Sequence, residues 1–391
     1  MKNKKMNAII ALCAMSFITL ASSATSPALS TIAKSFPEAS SEAIASIATL
    51  SSLTAVPFTV LSGLIVGKKI KFKLMAVLGL LISTIGGFMP FFSTTITEVL
   101  IGRAILGLGT GLLGPIVSTL TLSLFEGKDV AKQFSRNMMS TNIGAVLFQL
   151  AGGYLCNYSW RMPFYAYLVV LPVAAIVFFC LPEPERIVTK DGDTKEKFSL
   201  REVLSPHVIF WGLLHALYMA CFYAYVTESS GIITKNGYGT TMSVAIVLAS
   251  FTAFGVVGGY LFYPVNNKTG MKTLGIGFGI GALACIGIQL SGGLVSYYLV
   301  SIFFGVGYGM LAPSINYYLG IKIKPEYRAA SVAAASLFSH LGSFGSPFMM
   351  SFFRNLFKSS SDRFSFLVGM FFYIAASLFF FLHKNREESI I

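Results

Sequence analysis

The chain has 391 residues, of which 54% are hydrophobic and only 12% charged, with a mean hydropathy of +0.72 and a net charge of +13. Soluble domains carry about twice that share of charge, so composition argues against a water-soluble globule. A positive excess makes nucleic acid the first partner to consider, but the lysines and arginines form no soluble patch: they fall in short clusters between long apolar runs, as they do in loops beside a membrane.

A membrane-spanning helix needs about 20 mainly apolar residues. Twelve such stretches are predicted, at 7–32, 44–66, 72–92, 96–120, 134–156, 162–181, 206–229, 239–263, 273–291, 294–318, 328–352 and 364–382. The first follows the basic MKNKK and passes through small residues, so it also reads as a cleavable secretory signal. It is taken as an uncleaved span, because the internal repeat needs it. Between spans 6 and 7 the polar stretch 182–205 reads as a cytoplasmic linker. It divides the chain into a six-span unit, 1–181, and a second, 206–391, with a short tail. Asp191 and Asp193 in the linker have DxD spacing but read as a solvated turn, and no metal site is predicted. Taking the N-terminus as cytoplasmic puts 22 of the 29 lysines and arginines on that side and 6 on the other, with Arg103 inside a span. Both termini are therefore expected in the cytoplasm. Trp160 and Trp211 fall near predicted interfaces. The five cysteines (Cys13, Cys156, Cys180, Cys221 and Cys285) form no CxxC pair and read as small buried hydrophobes rather than a disulfide or metal set.

Spans 4 and 10 carry an internal repeat. GLGTGLLGP (Gly107 to Pro115) and GVGYGMLAP (Gly305 to Pro313) match at five of nine positions, 198 residues apart, and the same offset pairs Gly144 with Gly342. Gly107 and Gly111, like Gly305 and Gly309, stand four apart on one helix face and predict close approach of another helix. Pro115 and Pro313 predict a tolerated bend. Two six-helix repeats in parallel orientation are the plan of one large transporter class.

Arg103 is the only charged residue between Glu98 and Glu126. A lone arginine in lipid must face protein or water and find a partner. The polar span-5 residues Asn142 and Gln149 are the expected partners, with a snorkelling structural arginine as the alternative. No aspartate lies in any predicted span. The other titratable candidates for a proton pathway are Glu98 and Glu228 toward span ends, and His215 and His340 in spans 7 and 11. On a helix, His215, Tyr218, Phe222 and Tyr225 fall within about 80° of one another, as a binding surface or as packing.

Four stretches resemble the major facilitator superfamily, within it the twelve-span drug:proton antiporters. SPALSTIAKSF (Ser26 to Phe36) resembles the end of span 1 in that group. Arg103 with its spaced glycines resembles the span-4 motif. GGYLCNYSWRMPFY, with Gly152 and Gly153, resembles the connection between spans 5 and 6. GLIVGKKIKFK, with Gly63 and Lys68, stands in the place of the basic loop between spans 2 and 3. The chain departs from the pattern at Gly67, where the loop normally has aspartate, and at Ile70, where it normally has glycine. Phe148-Gln149 replaces the Gly-Pro of the span-5 motif, and Gly345-Ser-Pro347 appears in span 11 instead.

The resemblance implies an all-α membrane protein of twelve helices in two pseudo-symmetric bundles. It implies a cavity lined by spans 1, 4, 7 and 10, including Ser23, Thr25, Tyr308, Asn316 and Tyr317, and a proton-transfer or gating role for Arg103. The expected activity is secondary export of a small amphiphilic compound across a bacterial plasma membrane. The proton gradient would take the place of any cofactor, and the partners would be lipid, substrate and protons, with the chain acting as a monomer. Uptake or facilitated movement of a metabolite, and amphiphile flipping, are the alternatives. The absence of GxxxxGK[ST], HExxH and GxSxG patterns argues against a pump hydrolysing ATP and against a membrane enzyme.

Overall fold

The computed structural model describes residues 2–66, 70–126, 128–183, 205–321 and 325–382. Lys68 and most of 182–205, including Asp191 and Asp193, lie outside the described residues. The chain divides into two compact units, Met1–Phe198 and Ser199–Ile391.

The first unit contains α1 (Lys2–Ile18), α2 (Leu29–Ser35), α3 (Ser41–Ile65), α4 (Phe72–Phe88), α5 (Ile96–Leu124), α6 (Lys128–Leu155) and α7 (Val170–Cys180). The second contains α8 (Pro206–Lys235), α9 (Thr241–Thr269), α10 (Lys272–Leu290), α11 (Leu294–Ile321), α12 (Pro325–Leu356) and α13 (Phe364–Leu382). They make twelve spans, because α1 and α2 are two parts of span 1. Among the described residues, ten spans are long and apolar enough to cross a bilayer by length and composition alone. The other two are α6 and α12, equivalent under the repeat. Each begins in a polar, charged segment that extends the helix beyond the apolar part. At 28 residues, α6 is roughly 42 Å long against a hydrocarbon core of about 30 Å. This is why spans 4 and 5, and 10 and 11, nearly run together in the sequence.

Span 1 is broken. Between α1 and α2 lie a turn and a short 3-10 segment, Ala21–Thr25. Pro27 has no N–H to give the Ser23 carbonyl, and its ring disfavours a helix through that carbonyl. The neighbouring hydroxyls compete for backbone groups: Thr25 donates to the Ser22 carbonyl at 3.1 Å, and Ser23 to Ala145 of α6 at 3.2 Å. Span 6 opens with a 3-10 segment, Met162–Val169, just before Pro172.

Several ends are fixed by local chemistry. Glu98 and Thr95 form a reciprocal capping box at the start of α5. The Glu183 carboxylate accepts from the Phe72 and Lys73 amides at 2.7 and 3.1 Å, tying the end of span 6 to the start of α4. Lys5 donates to Asp129 at 2.6 Å, joining the starts of spans 1 and 5.

Candidate functional site

The repeated glycines are the places where backbones meet. On α5, Arg103, Gly107 and Gly111 lie four apart and face Ile47, Ser51 and Ala55 of α3, also four apart. A methyl group added at Gly107 or Gly111 would run into the Ser51 or Ala55 backbone. Hydroxyls close the same seam. Thr54 donates to Ala104 at 3.0 Å, Thr59 to Gly111 at 3.1 Å and Ser62 to Leu112 at 2.8 Å, all to carbonyls. Gly109 faces the other way, 2.6 Å from the Gly79 carbonyl oxygen of α4, measured from an added Cβ. The second unit repeats the plan: Gly305 and Gly309 abut Phe251 and Gly255 of α9, while Gly307 faces Gly277 of α10. Gly144 and Gly152 of α6 abut Phe17 and Ala24 of span 1, and Gly153 is buried beside them. Pro115 and Pro313 lie within continuous helices.

Arg103 is fully buried, at 0% exposure. Its Nε donates to the Ile47 carbonyl at 2.7 Å, Nη1 to the Tyr167 hydroxyl at 2.5 Å and Nη2 to the Ser22 carbonyl at 3.2 Å. The acceptors are two backbone carbonyls and a tyrosine hydroxyl rather than the expected side chain of Asn142. Asn142 donates to Met138 of its own helix at 3.0 Å, and Gln149 is buried on α6 between Ala145 and Gly152, which meet span 1 at Ser23 and Ala24. Full burial rules out snorkelling. The physical reason is the break in span 1. It frees a carbonyl deep in the unit, and a planar five-donor guanidinium can reach it together with two other acceptors. Gly87 makes the room for this, since a methyl group there would strike the Tyr167 ring. Nothing in the pattern of the sequence marked Tyr167 or Ser22.

In the second unit the expected stripe is mainly packing. Tyr218 and Tyr225 are fully buried. The Tyr218 hydroxyl donates to the Tyr308 carbonyl at 2.9 Å, and the Tyr225 ring lies 5.0 Å from Phe251 and 5.1 Å from Phe304. Phe222 and Tyr308 are half-buried, with ring centroids 4.2 Å apart. They are the part of the stripe a small molecule can touch. Asn316 and Tyr317 are exposed and do not join this cluster. The next residue, Tyr318, turns inward, stacks on Trp211 at 5.9 Å and donates to Asn266 at 2.7 Å. Ser23 and Thr25 are occupied with backbone carbonyls.

Of the titratable candidates, Glu98 is spent on the α5 cap. Glu228 accepts from the Ser365 hydroxyl at 2.5 Å and from Arg354 at 3.2 Å. Arg354, two residues beyond the predicted end of span 11, lies in the last turn of α12. His215 is buried, at 6% exposure, and neither ring nitrogen has a hydrogen-bond partner. His340 on α12 is half-buried. Among the described residues no group of three metal-ligating side chains occurs.

The profile of the Major Facilitator Superfamily matches residues 11–347. The quinolone resistance protein NorA of Staphylococcus aureus is 23% identical over 301 residues, covering 76% of each chain. Multidrug resistance protein 2 of Bacillus subtilis is 23% identical over 258 residues, covering 63% of this chain and 64% of that one. The multidrug efflux pump SdrM of S. aureus is 25% identical over 255 residues, covering 59% and 57%. Two solved structures share the fold nearly end to end. A bacterial homolog of the human lysosomal transporter Spinster has a TM-score of 0.76 at 16% identity, covering 98% and 97% of the chains. The nucleoside transporter NupG has a TM-score of 0.77 at 13% identity, covering 97% and 99%. The twelve spans, the duplicated glycine seams and the matching profile have one reading: this chain belongs to the Major Facilitator Superfamily, as a multi-pass membrane transporter and not an enzyme.

Proposed function

We propose that this transporter exports small amphiphilic, hydrophobic compounds by alternating access across a bacterial plasma membrane, driven by protons moving the other way. What supports the reading is the set of relatives named for quinolone resistance, multidrug resistance and multidrug efflux, with 76% of NorA aligned to this chain. The partly exposed Phe222–Tyr308 pair agrees with it. Stacked aromatic rings bind flat apolar or weakly cationic molecules and give no foothold to a sugar phosphate. Arg103 serves this function by holding the break in span 1 in place. No cofactor takes part, the chain acts as a monomer in lipid, and both termini face the cytoplasm.

The test uses the purified full chain in liposomes with ethidium as probe, a fluorescent aromatic cation. An imposed pH gradient of about one unit sustains up to about ten-fold accumulation for each proton exchanged. Uphill ethidium movement toward the acidic side, abolished when the gradient is collapsed, supports the proposal. Movement toward the alkaline side indicates uptake with protons. Downhill movement indifferent to the gradient indicates a facilitator, and both of these results overturn the proposal.

A further inference from the structure

Helix α8 presents different sides to different neighbours. Gly212, Ala216 and Ala220 meet α12: Gly212 faces Phe338, Ala216 faces Gly342, and the Ala220 carbonyl accepts from Ser346. Leu213 and Leu217, to one side of that seam, are exposed at 51% and 42%. To the other side stand His215, Met219, Phe222 and Val226, which fall within about 60° of one another on a helix. Met219, Phe222 and Val226 are half-buried, so among the described residues no helix of this unit covers that side completely. His215 is the polar member of this otherwise apolar stripe. Rings connect it to the Phe222–Tyr308 pair: His215 to Tyr218 at 5.9 Å, Tyr218 to Tyr308 at 5.2 Å and Tyr308 to Phe222 at 4.2 Å between centroids.

A neutral imidazole has one donor and one acceptor nitrogen, and both are normally paired when buried. His215 is 94% buried, counted from its 6% exposure, and neither nitrogen has a partner. Among the described residues it is the one side chain with two such orphaned atoms. Tyr218 does not relieve it, because its hydroxyl is given to the Tyr308 carbonyl. By contrast His207, at the start of the same helix, bonds to the Leu319 carbonyl at 3.2 Å. If His215 served packing alone, an apolar side chain of similar size would fill the place without the cost of two unpaired polar atoms.

We infer that His215 is the polar anchor of the substrate site, exchanging a hydrogen bond with an amino or hydroxyl group of a flat aromatic compound whose rings lie on Phe222 and Tyr308. The inference rests on the aromatic-substrate reading above, but not on the direction or driving force of transport. Seven residues separate His215 from Phe222, roughly 10 Å along the helix. The site therefore selects compounds with several fused or linked rings and a hydrogen-bonding group at one end. Met219, one turn from His215 on the same side, has the flexible side chain that gives way to admit that group. An amino group donates to the acceptor nitrogen, and a hydroxyl can also accept from the N–H, so the neutral ring serves both. A compound with the same rings and no such group leaves the imidazole unpaired and binds less well.

The test measures equilibrium binding to the purified full chain in detergent, with no gradient. One probe is ethidium, which has two aromatic amino groups; the other is the same phenanthridinium lacking both. The wild type is expected to prefer ethidium by about five- to ten-fold, the worth of one hydrogen bond. His215→Phe is expected to abolish that preference by weakening ethidium alone. His215→Gln, which keeps a donor and an acceptor, should retain part of it, and His207→Gln should leave both probes unchanged. A wild type that binds the two alike, an undiminished preference in His215→Phe, or an equal loss of both probes there overturns the inference and leaves the export reading standing. A wild type that binds neither overturns the aromatic-substrate reading and the inference with it. For a variant that fails to fold, 15N-histidine NMR of the wild type gives a second measure, with four histidines to resolve. Ethidium is expected to shift the nitrogens of one imidazole and the deaminated probe to leave them in place; identical spectra with the two probes overturn the inference.

Discussion

Replacing Gly111 with alanine tests whether the α3–α5 seam is set by backbone contact. A Cβ built on Gly111 lies 2.9 Å from the Ala55 Cα and 3.0 Å from its carbonyl carbon, and nearer still to its oxygen. Carbon atoms rest at about 3.5–4.0 Å, so the helices must separate by roughly 0.5–1 Å, and backbone atoms cannot rotate away. That separation stretches the Thr54, Thr59 and Ser62 hydrogen bonds, now 3.0, 3.1 and 2.8 Å, toward the limit of useful length. Hydrogen bonds between membrane helices average about 0.6 kcal/mol, and overpacking costs about 1–3 kcal/mol. Alanine returns up to about 1 kcal/mol through helix propensity. The net loss is about 2–3 kcal/mol, a fall in Tm of about 4–12 °C for a unit of this size. Gly114, three residues on in the same helix, has nothing within 4 Å of its added Cβ, so Gly114→Ala should be neutral or slightly stabilising. Thermal unfolding in detergent, followed with a thiol-reactive dye on the five free cysteines, reads both variants. Equal midpoints for the two, or a worse one for Gly114→Ala, would refute the backbone-contact account. Gly309→Ala, whose Cβ falls 2.7 Å from the Gly255 carbonyl carbon, should behave like Gly111→Ala if the repeat extends to energetics.

Arg103→Ala removes three hydrogen bonds from a charged donor, worth about 1.5–3 kcal/mol each, although Thr25 still donates to the Ser22 carbonyl and Ile47 keeps its place in helix α3. Stability and export should therefore fall together, contrary to a purely functional arginine whose loss spares expression; Arg103→Lys should recover only part, and Tyr167→Phe should cost about 1 kcal/mol. Glu183→Gln keeps the shape of the α4 cap but removes its charge, so a loss of about 0.5–1 kcal/mol is expected in a Tm comparison at low salt, shrinking as salt rises. The Lys5 hydrogen bond and charge, with Lys132 and Arg136 adding to them, hold the exposed Asp129 carboxyl below its ordinary pKa of 3.8. A lowered pKa stabilises the fold above the ordinary value, and the contribution disappears as pH falls through the lowered one. Any Tm difference between wild type and Asp129→Asn should accordingly be present at neutral pH, be weakened by salt and close in acid.

The spans were legible because the contrast between apolar runs and charged loops is large and needs no knowledge of contacts. Where it failed, the reason is local. The charged first turns of α6 and α12 read as loop, yet helix continues through them, since lysine, glutamate, glutamine and arginine are good helix formers in water. The interruption of span 1 had its signal in the run SSATSP, where proline and small hydroxyl residues crowd together, but the apolar residues on either side masked it. The glycines announced close packing without saying against what. Gly107 and Gly109 differ by two residues, and that step of about 200° turns one toward α3 and the other toward α4, a choice only the helix order decides. The tyrosines of span 7 looked like a binding surface because a helical stripe specifies one face and not whether another helix covers it.

Arg103 shows most clearly how a need can be legible while its answer is not. Its position in lipid demanded acceptors, and the sequence offered the polar side chains of span 5. The structure uses two backbone carbonyls, which have no residue signature, and a tyrosine from span 6. The second unit explains why. Under the repeat Arg103 corresponds to Ser301, whose hydroxyl bonds within its own helix, to Tyr297 at 2.7 Å. There span 7 is one uninterrupted helix of 30 residues, so it leaves no mid-span break to be capped. The arginine and the broken helix thus belong together: the break presents the Ser22 carbonyl, which Arg103 reaches together with Thr25, and these donors make the break tolerable in a setting without water. The unbroken half has no use for either. In its place the polar contacts fall on the facing helices α8 and α12, where Ser346 donates to the Ala220 carbonyl and Arg354 pairs with Glu228.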